Sequence, residues 1–296
     1  MIFDFITPEI IKKMKPIVLT FAFFSVAVLS FAQHGTLYTK EDKAIFDKYT
    51  SYIEPFRDQP MDKVMEKTAE FFLGTPYVAH TLEMTPGETF VINLREMDCI
   101  TFMENVIALS LTAKSGELSF DKFMDELRKM RYRNGNIDDY ASRLHYTTDW
   151  FYENEKRGLV KNISQCLGGV KETKKINFMS AHRDAYRQLK TDDAMWWKIK
   201  TMEDTINKRG GFYYLPKQEI AKAAPMIPHM SVIAFTTSIA GLDVSHVVFA
   251  YRKEDKLTFI HASSTEEKVV IDDKTLEDYC DSQESCTGIM VIKINN

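Results

Sequence analysis

After Gly211 the hydrophobic pattern changes period, and that change limits the fold more than any other feature of this 296-residue chain. Phe212–Pro216, Met230–Thr236, Val244–Arg252, Leu257–Ala262, Val269–Ile271 and Gly288–Ile294 read as extended, β-branched or aromatic runs. Before Gly211 the apolar residues recur mostly at helical spacing. Tyr38–Leu73 carries Ile45, Tyr49, Tyr52 and Ile53, then Met61, Val64, Met65 and Ala69, with Pro55 and Pro60 dividing it into two helices. Phe120–Met130 is amphipathic, and Arg183–Arg209 is helical and charged with Trp196-Trp197 in its core. Helices early and strands late imply an α+β fold with an antiparallel sheet.

A second stretch carries the chemistry. Phe90–Leu94 is a short extended segment, and Asp98 then precedes Cys99 and an apolar run. Ile100, Met103, Ile107 and Leu111 fall on one helix face, and Asp98 is a good N-cap. Cys99 therefore stands in the first turn, where unpaired N–H groups and the helix dipole favour an anion. A thiolate is the nucleophilic form of cysteine, so this position predicts an acidified, reactive thiol. A buried structural cysteine is the alternative.

Two histidines stand far downstream, His246 in Ser245–Tyr251 and His261 in Phe259–Ser263. If their strands form a hairpin about Lys253–Lys256, Arg252 opposes Leu257. His246 and His261 then become diagonal neighbours on one face, about 7–8 Å apart. A cysteine at a helix start, a histidine on a sheet and a second polar group orienting that histidine form a cysteine-hydrolase arrangement. Cys99 would attack, His246 would act as base and then acid, and His261 would fix its ring.

Composition removes other readings. The net charge of −4 gives no basic bias toward nucleic acid. Nucleotide-binding glycine motifs and the HExxH zinc motif are absent. No cofactor is implied, and a zinc site built from Cys99, His246 and His261 would not match a known ligand spacing. Lys12, Lys13 and Lys15 precede the apolar run Ile17–Ala32, which ends Ser30-Phe31-Ala32. That reads as an export signal over residues 1–32, starting at Met1 or Met14, rather than a membrane anchor. The mature chain, 33–296, is then a single exported domain with no stable membrane anchor. Cys280 and Cys286 are spaced to bridge a short loop, or remain as thiols.

The order of motifs resembles the NlpC-type cell-wall cysteine hydrolases, a papain-like superfamily, and most closely its muramoyl-alanine amidase-like branch. The resemblance runs through Leu73–Ala79, Met97–Glu104, Tyr140–Tyr146, Gly241–His246 and His261–Ser263. It implies a papain-like fold with the nucleophile helix packed on the sheet. A helical insertion, 113–211, would line the substrate groove. It also implies Cys99, His246 and His261 as catalytic residues. Tyr77 would lie beside the cysteine, and Ser142, Arg143 and Tyr146 would contact substrate. The implied substrates are peptidoglycan fragments, cut between (anhydro-)N-acetylmuramic acid and L-alanine in the periplasm. A D-glutamyl-diamino acid endopeptidase and a non-catalytic muropeptide binder are the alternatives. Two departures stand out. Val78-Ala79-His80 follows Tyr77 where many relatives have Trp-Gly-Gly, and His229-Met230-Ser231 replaces a Gly-Asp turn.

Overall fold

The computed structural model of the protein describes residues 35–253 and 256–295. The export segment expected over 1–32 lies outside the described residues. Seven longer helices are used below: α1 (Lys40–Ile53), α2 (Met61–Phe71), α3 (Cys99–Lys114), α4 (Phe120–Arg131), α5 (Thr147–Lys156), α6 (Asp193–Lys208) and α7 (Leu276–Ser282). The main sheet contains β1 (Val160–Asn162), β2 (Val170–Glu172), β3 (Phe212–Pro216), β4 (Val232–Thr237), β5 (Val244–Lys253), β6 (Lys256–Ser263), β7 (Lys268–Ile271) and β8 (Cys286–Ile294). Its order is β2-β3-β8-β4-β5-β6-β7, with β1 also on β8, and every pair is antiparallel. The expected α+β class with an antiparallel sheet is what forms.

Two of those strands are not among the extended runs that follow Gly211. β1 and β2 lie inside 113–211, so that segment is not a purely helical insertion. Its front part, α4 and α5, shares the main core with α3, through Phe123, Leu127, Trp150 and Phe151. A smaller cluster around Tyr140, Tyr146, Ile199, Met202 and Ile206 forms the remainder. Within α6 these positions fix the inward face. Trp197 falls off it and is 58% exposed, against its expected place in the core.

Helix α3 is buried on nearly every side rather than along one stripe. Phe102, Met103, Val106, Ile107 and Leu109 are all in the core, while Ile100 and Leu111 are the partly exposed ones. The helix is enclosed because α2 and α4 cover it on one side and β5 and β6 on the other. Phe102 meets Phe249 edge to face at 5.8 Å. Polar side chains fix its position. Glu104 accepts from Arg131 Nε (2.6 Å) and Trp150 Nε1 (3.1 Å), and Asn105 Nδ2 donates to Asn93 O (3.0 Å). A buried carboxylate is tolerable there because both oxygens are engaged.

Two backbone positions shape the sheet. Gly288 lies at a register shift in β8, and a Cβ there would stand 2.0 Å from Leu215 O. Met230 takes a left-handed φ of +57° at the turn before β4, the position at which a glycine turn would carry no side-chain penalty. The neighbouring His229 holds that turn by bonding Glu66 (2.8 Å) and accepting from Arg252 N (3.1 Å).

Candidate active site

Asp98 caps α3. Its Oδ1 accepts from Thr101 N (2.7 Å) and Thr101 Oγ1 (2.8 Å), while Asp98 N donates back to Thr101 Oγ1 (2.9 Å). The reciprocal cap fixes the helix start, and with it the Cys99 sulfur. The Gly74–Val78 segment lies alongside. Val78 N donates to Met97 O and Met97 N to Pro76 O, so the backbone of Tyr77 runs beside the two residues before Cys99.

The hairpin has the expected register, with Arg252 opposite Leu257. Its pairs run from Lys253↔Lys256 to Phe249↔Ile260, which leaves the histidines at the open end of the ladder. There the two rings turn toward each other. His246 Nε2 and His261 Nδ1 are 2.7 Å apart, and the ring centroids 5.0 Å. Val247, next to His246, gives the Cys99 sulfur a backbone hydrogen bond, as does Ile100. The Cys99 sulfur thus lies against the strand that carries His246, and His246 against His261.

Sequence reasoning missed two residues here. Asp272, directly after β7, places Oδ2 3.5 Å from His261 Nε2, an electrostatic contact rather than a tight hydrogen bond. Tyr279, on α7, packs against His246 at 5.8 Å and His261 at 6.3 Å between centroids. Asp272 could have been sought as the polar residue ending the strand beside β6. Tyr279 had no such signal, because its helix was not expected.

The partners assign the tautomers. A carboxylate can only accept, so His261 carries its proton on Nε2. His261 Nδ1 then accepts from His246 Nε2, and His246 Nδ1 is left unprotonated, able to take a proton. Burial pushes His246 well below the ordinary imidazole value, helped by its neighbour His261. Burial also lowers His261 to about 4, against the opposing pull of Asp272. Both rings are neutral at pH 7.

The thiol departs from expectation. Cys99 is 2% exposed, and burial, with the nearby Asp98 charge second, pushes it up to about 12. The hydrogen bonds from Val247 and Ile100 act the other way but lose. Helix-end polarity stabilises an anion by about 0.3–1 kcal/mol in ordinary settings, less than the cost of taking a thiolate out of water. At rest the site holds a thiol and two neutral imidazoles.

The expected substrate contacts are engaged within the chain, although Arg143 Nη1 has no hydrogen-bond partner. Tyr146 is fully buried, its hydroxyl donating to Glu203 (2.8 Å) and accepting from Met179 N (2.9 Å). Ser142 Oγ donates to Asp139 O (2.6 Å) and accepts from Asp138 N (3.2 Å), stapling its own turn. Arg143 is buried between Glu83 (2.6 Å) and Glu88 (3.4 Å) and stacks on Tyr140. It anchors the loop that follows Tyr77 and does not face a free carboxylate.

The family described as AmiA-like, N-acetylmuramoyl-L-alanine amidase-like, matches residues 67–289. Solved structures are similar over most of the chain. An N-acetylmuramoyl-L-alanine amidase from Bacteroides uniformis is 37% identical, covering 80% of this chain and 99% of its own, with a TM-score of 0.75. A candidate xylanase from Bacteroides fragilis is 34% identical over 77% of this chain and 99% of its own, TM-score 0.73. A Legionella pneumophila protein at 23% identity, TM-score 0.64, covering 86% of this chain and 97% of its own, shares the fold. No curated protein matches the chain.

Proposed function

We propose, from the premise that this chain belongs to the N-acetylmuramoyl-L-alanine amidase-like family, that it is an exported cysteine amidase of peptidoglycan fragments. The observation that carries the reading is the hydrogen-bonded His246–His261 pair beside a helix-capped cysteine. The helix-borne thiol and sheet-borne imidazole follow the logic of papain-like hydrolases. The bond cut is the amide between the lactyl group of (anhydro-)N-acetylmuramic acid and L-alanine. Cleavage after Ala32 would deliver the enzyme to the periplasm.

His246 Nδ1 takes the Cys99 proton as the sulfur attacks the lactyl carbonyl. The tetrahedral oxyanion is met by backbone N–H groups at the start of α3, where the loss of one donor costs about 10²–10³ in rate. His246 returns the proton to the alanine nitrogen as the C–N bond breaks, leaving a thioester. Water, deprotonated by the same imidazole, releases the acid and regenerates the thiol. His261, backed by Asp272, holds the ring of His246 and spreads its transient charge.

The test is a defined anhydromuropeptide followed by mass spectrometry. Free stem peptide from the native protein, and none from a folded Cys99→Ala variant, is expected. Release at equal rates from both proteins would overturn the cysteine mechanism. Cleavage after D-glutamate instead would make the enzyme an endopeptidase.

A further inference from the structure

Tyr279 stands one residue before Cys280, which is disulfide-bonded to Cys286 at the start of β8. Its helix, α7, is seven residues long, far too short to be stable alone. A Thr275–Asp278 capping box holds one end and the disulfide ties the other to the sheet. The Tyr279 ring lies 4.7 Å from Phe235 and 5.2 Å from Phe259, besides the two imidazoles. Phe235 is nearly parallel to His246 at 6.4 Å, and Phe259 is edge-on to His261 at 4.9 Å. Three aromatic rings therefore box the histidine pair. Phe235 and Phe259 are fixed by strands β4 and β6. Tyr279 depends on a short helix and its covalent tie.

We propose that Tyr279 is a positioning residue that closes an aromatic box over His246 and His261, and that the Cys280–Cys286 disulfide holds it closed. The importance of the box rests on the cysteine-hydrolase reading above, but its existence does not. The ring keeps water from the imidazoles and from the sulfur. Burial raises the Tyr279 hydroxyl, and the nearby Cys99 charge adds to that rise. The other titratable or charged groups around the site are Asp98 at the α3 cap, Asp272 after β7, and Lys274, whose ammonium lies 5.9 Å from the Tyr279 ring. Opening the box readmits water and moves the thiol back toward its ordinary value. Reduction by a dithiol opens it without mutation. The Cys280–Cys286 bond breaks, both sulfurs gain protons, and the dithiol is oxidised to its own disulfide.

The experiment is the pH profile of Cys99 alkylation by iodoacetamide, read on the Cys99 peptide by mass so that the exposed thiol of Cys166 is counted separately. The full-length protein is compared with Tyr279→Ala, Tyr279→Phe and the double variant Cys280→Ser/Cys286→Ser. Wild-type protein treated with dithiothreitol, then freed of it, is the fifth sample. Tyr279→Ala lowers the midpoint by about one pH unit, while Tyr279→Phe, which keeps the ring, stays within about 0.3. The double variant and the reduced protein shift in the same direction as Tyr279→Ala. An unmoved midpoint in Tyr279→Ala overturns the positioning role. A shift there, with none in the double variant or the reduced protein, overturns the role of the disulfide. Should Tyr279→Ala fail to fold, the reduced wild-type protein decides: a lowered midpoint supports a box held by the disulfide, an unmoved one overturns that proposal. Because no substrate is used, failure here leaves the amidase reading standing, and failure to cleave a muropeptide leaves this result standing.

Discussion

The clearest consequence of the site is that Cys99 should be slow toward electrophiles at neutral pH. Its thiol rises from an ordinary 9.0 to about 12 because the sulfur is buried beside Asp98. That rise thins the thiolate about a thousandfold at any pH well below 9, equivalent to about 4 kcal/mol. Only the thiolate reacts with iodoacetamide. Alkylation followed peptide by peptide from pH 6 to 11 gives both cysteines from one sample, with exposed Cys166 as the internal clock. The Cys99 rate should keep climbing past pH 10, where an acidified catalytic thiol would already have levelled off. The shape of the profile carries the test, because burial slows the absolute rate by obstruction as well. A plateau at or below pH 7 would refute the reasoning and restore the helix-end argument drawn from the sequence.

Acid should weaken the fold through the same histidines. His261 falls from 6.5 to about 4 on folding, so the unfolded chain binds the extra proton; its contribution is whole above pH 6.5 and is lost as pH falls toward 4, by about 3 kcal/mol. Urea midpoints across that range check this, and His261→Gln should flatten the slope. Arg143→Met strands Glu83 and Glu88 in a buried setting and should cost about 3–5 kcal/mol, seen as a lowered Tm in calorimetry. Tyr146→Phe removes a hydroxyl with two buried partners and should cost about 1–3 kcal/mol in urea unfolding. Against a muropeptide it should leave KM within about twofold, since the side chain does not reach the surface.

Much of this fold was legible because its signals are local. The period change at Gly211 marks where the sheet's central strands begin, and the polar Lys253–Lys256 connection fixes the hairpin register. From that register follows the meeting of His246 and His261, though their rings come closer than strand spacing alone implies. What escaped depends on contacts distant in sequence. Nothing near Cys99 announces that α2, α4 and two strands will enclose its helix, and that enclosure reverses the ionisation expected of the helix end. The resemblance makes Ser142, Arg143 and Tyr146 of the Tyr140–Tyr146 motif substrate contacts. In the folded chain Glu83, Glu88 and Glu203, remote in sequence, engage Arg143 and Tyr146 first. Val160–Asn162 and Val170–Glu172 are too short to show a period, and only pairing with β8 and β3 makes them strands.

A buried sulfur that stays protonated is also hard to oxidise. Peroxide attacks thiolates and carries them through sulfenic acid to forms that cannot be recovered. By burying Cys99 and keeping its proton on, the protein holds this thiol in the form least exposed to that damage. Slowness toward electrophiles and resistance to peroxide then have a single physical origin.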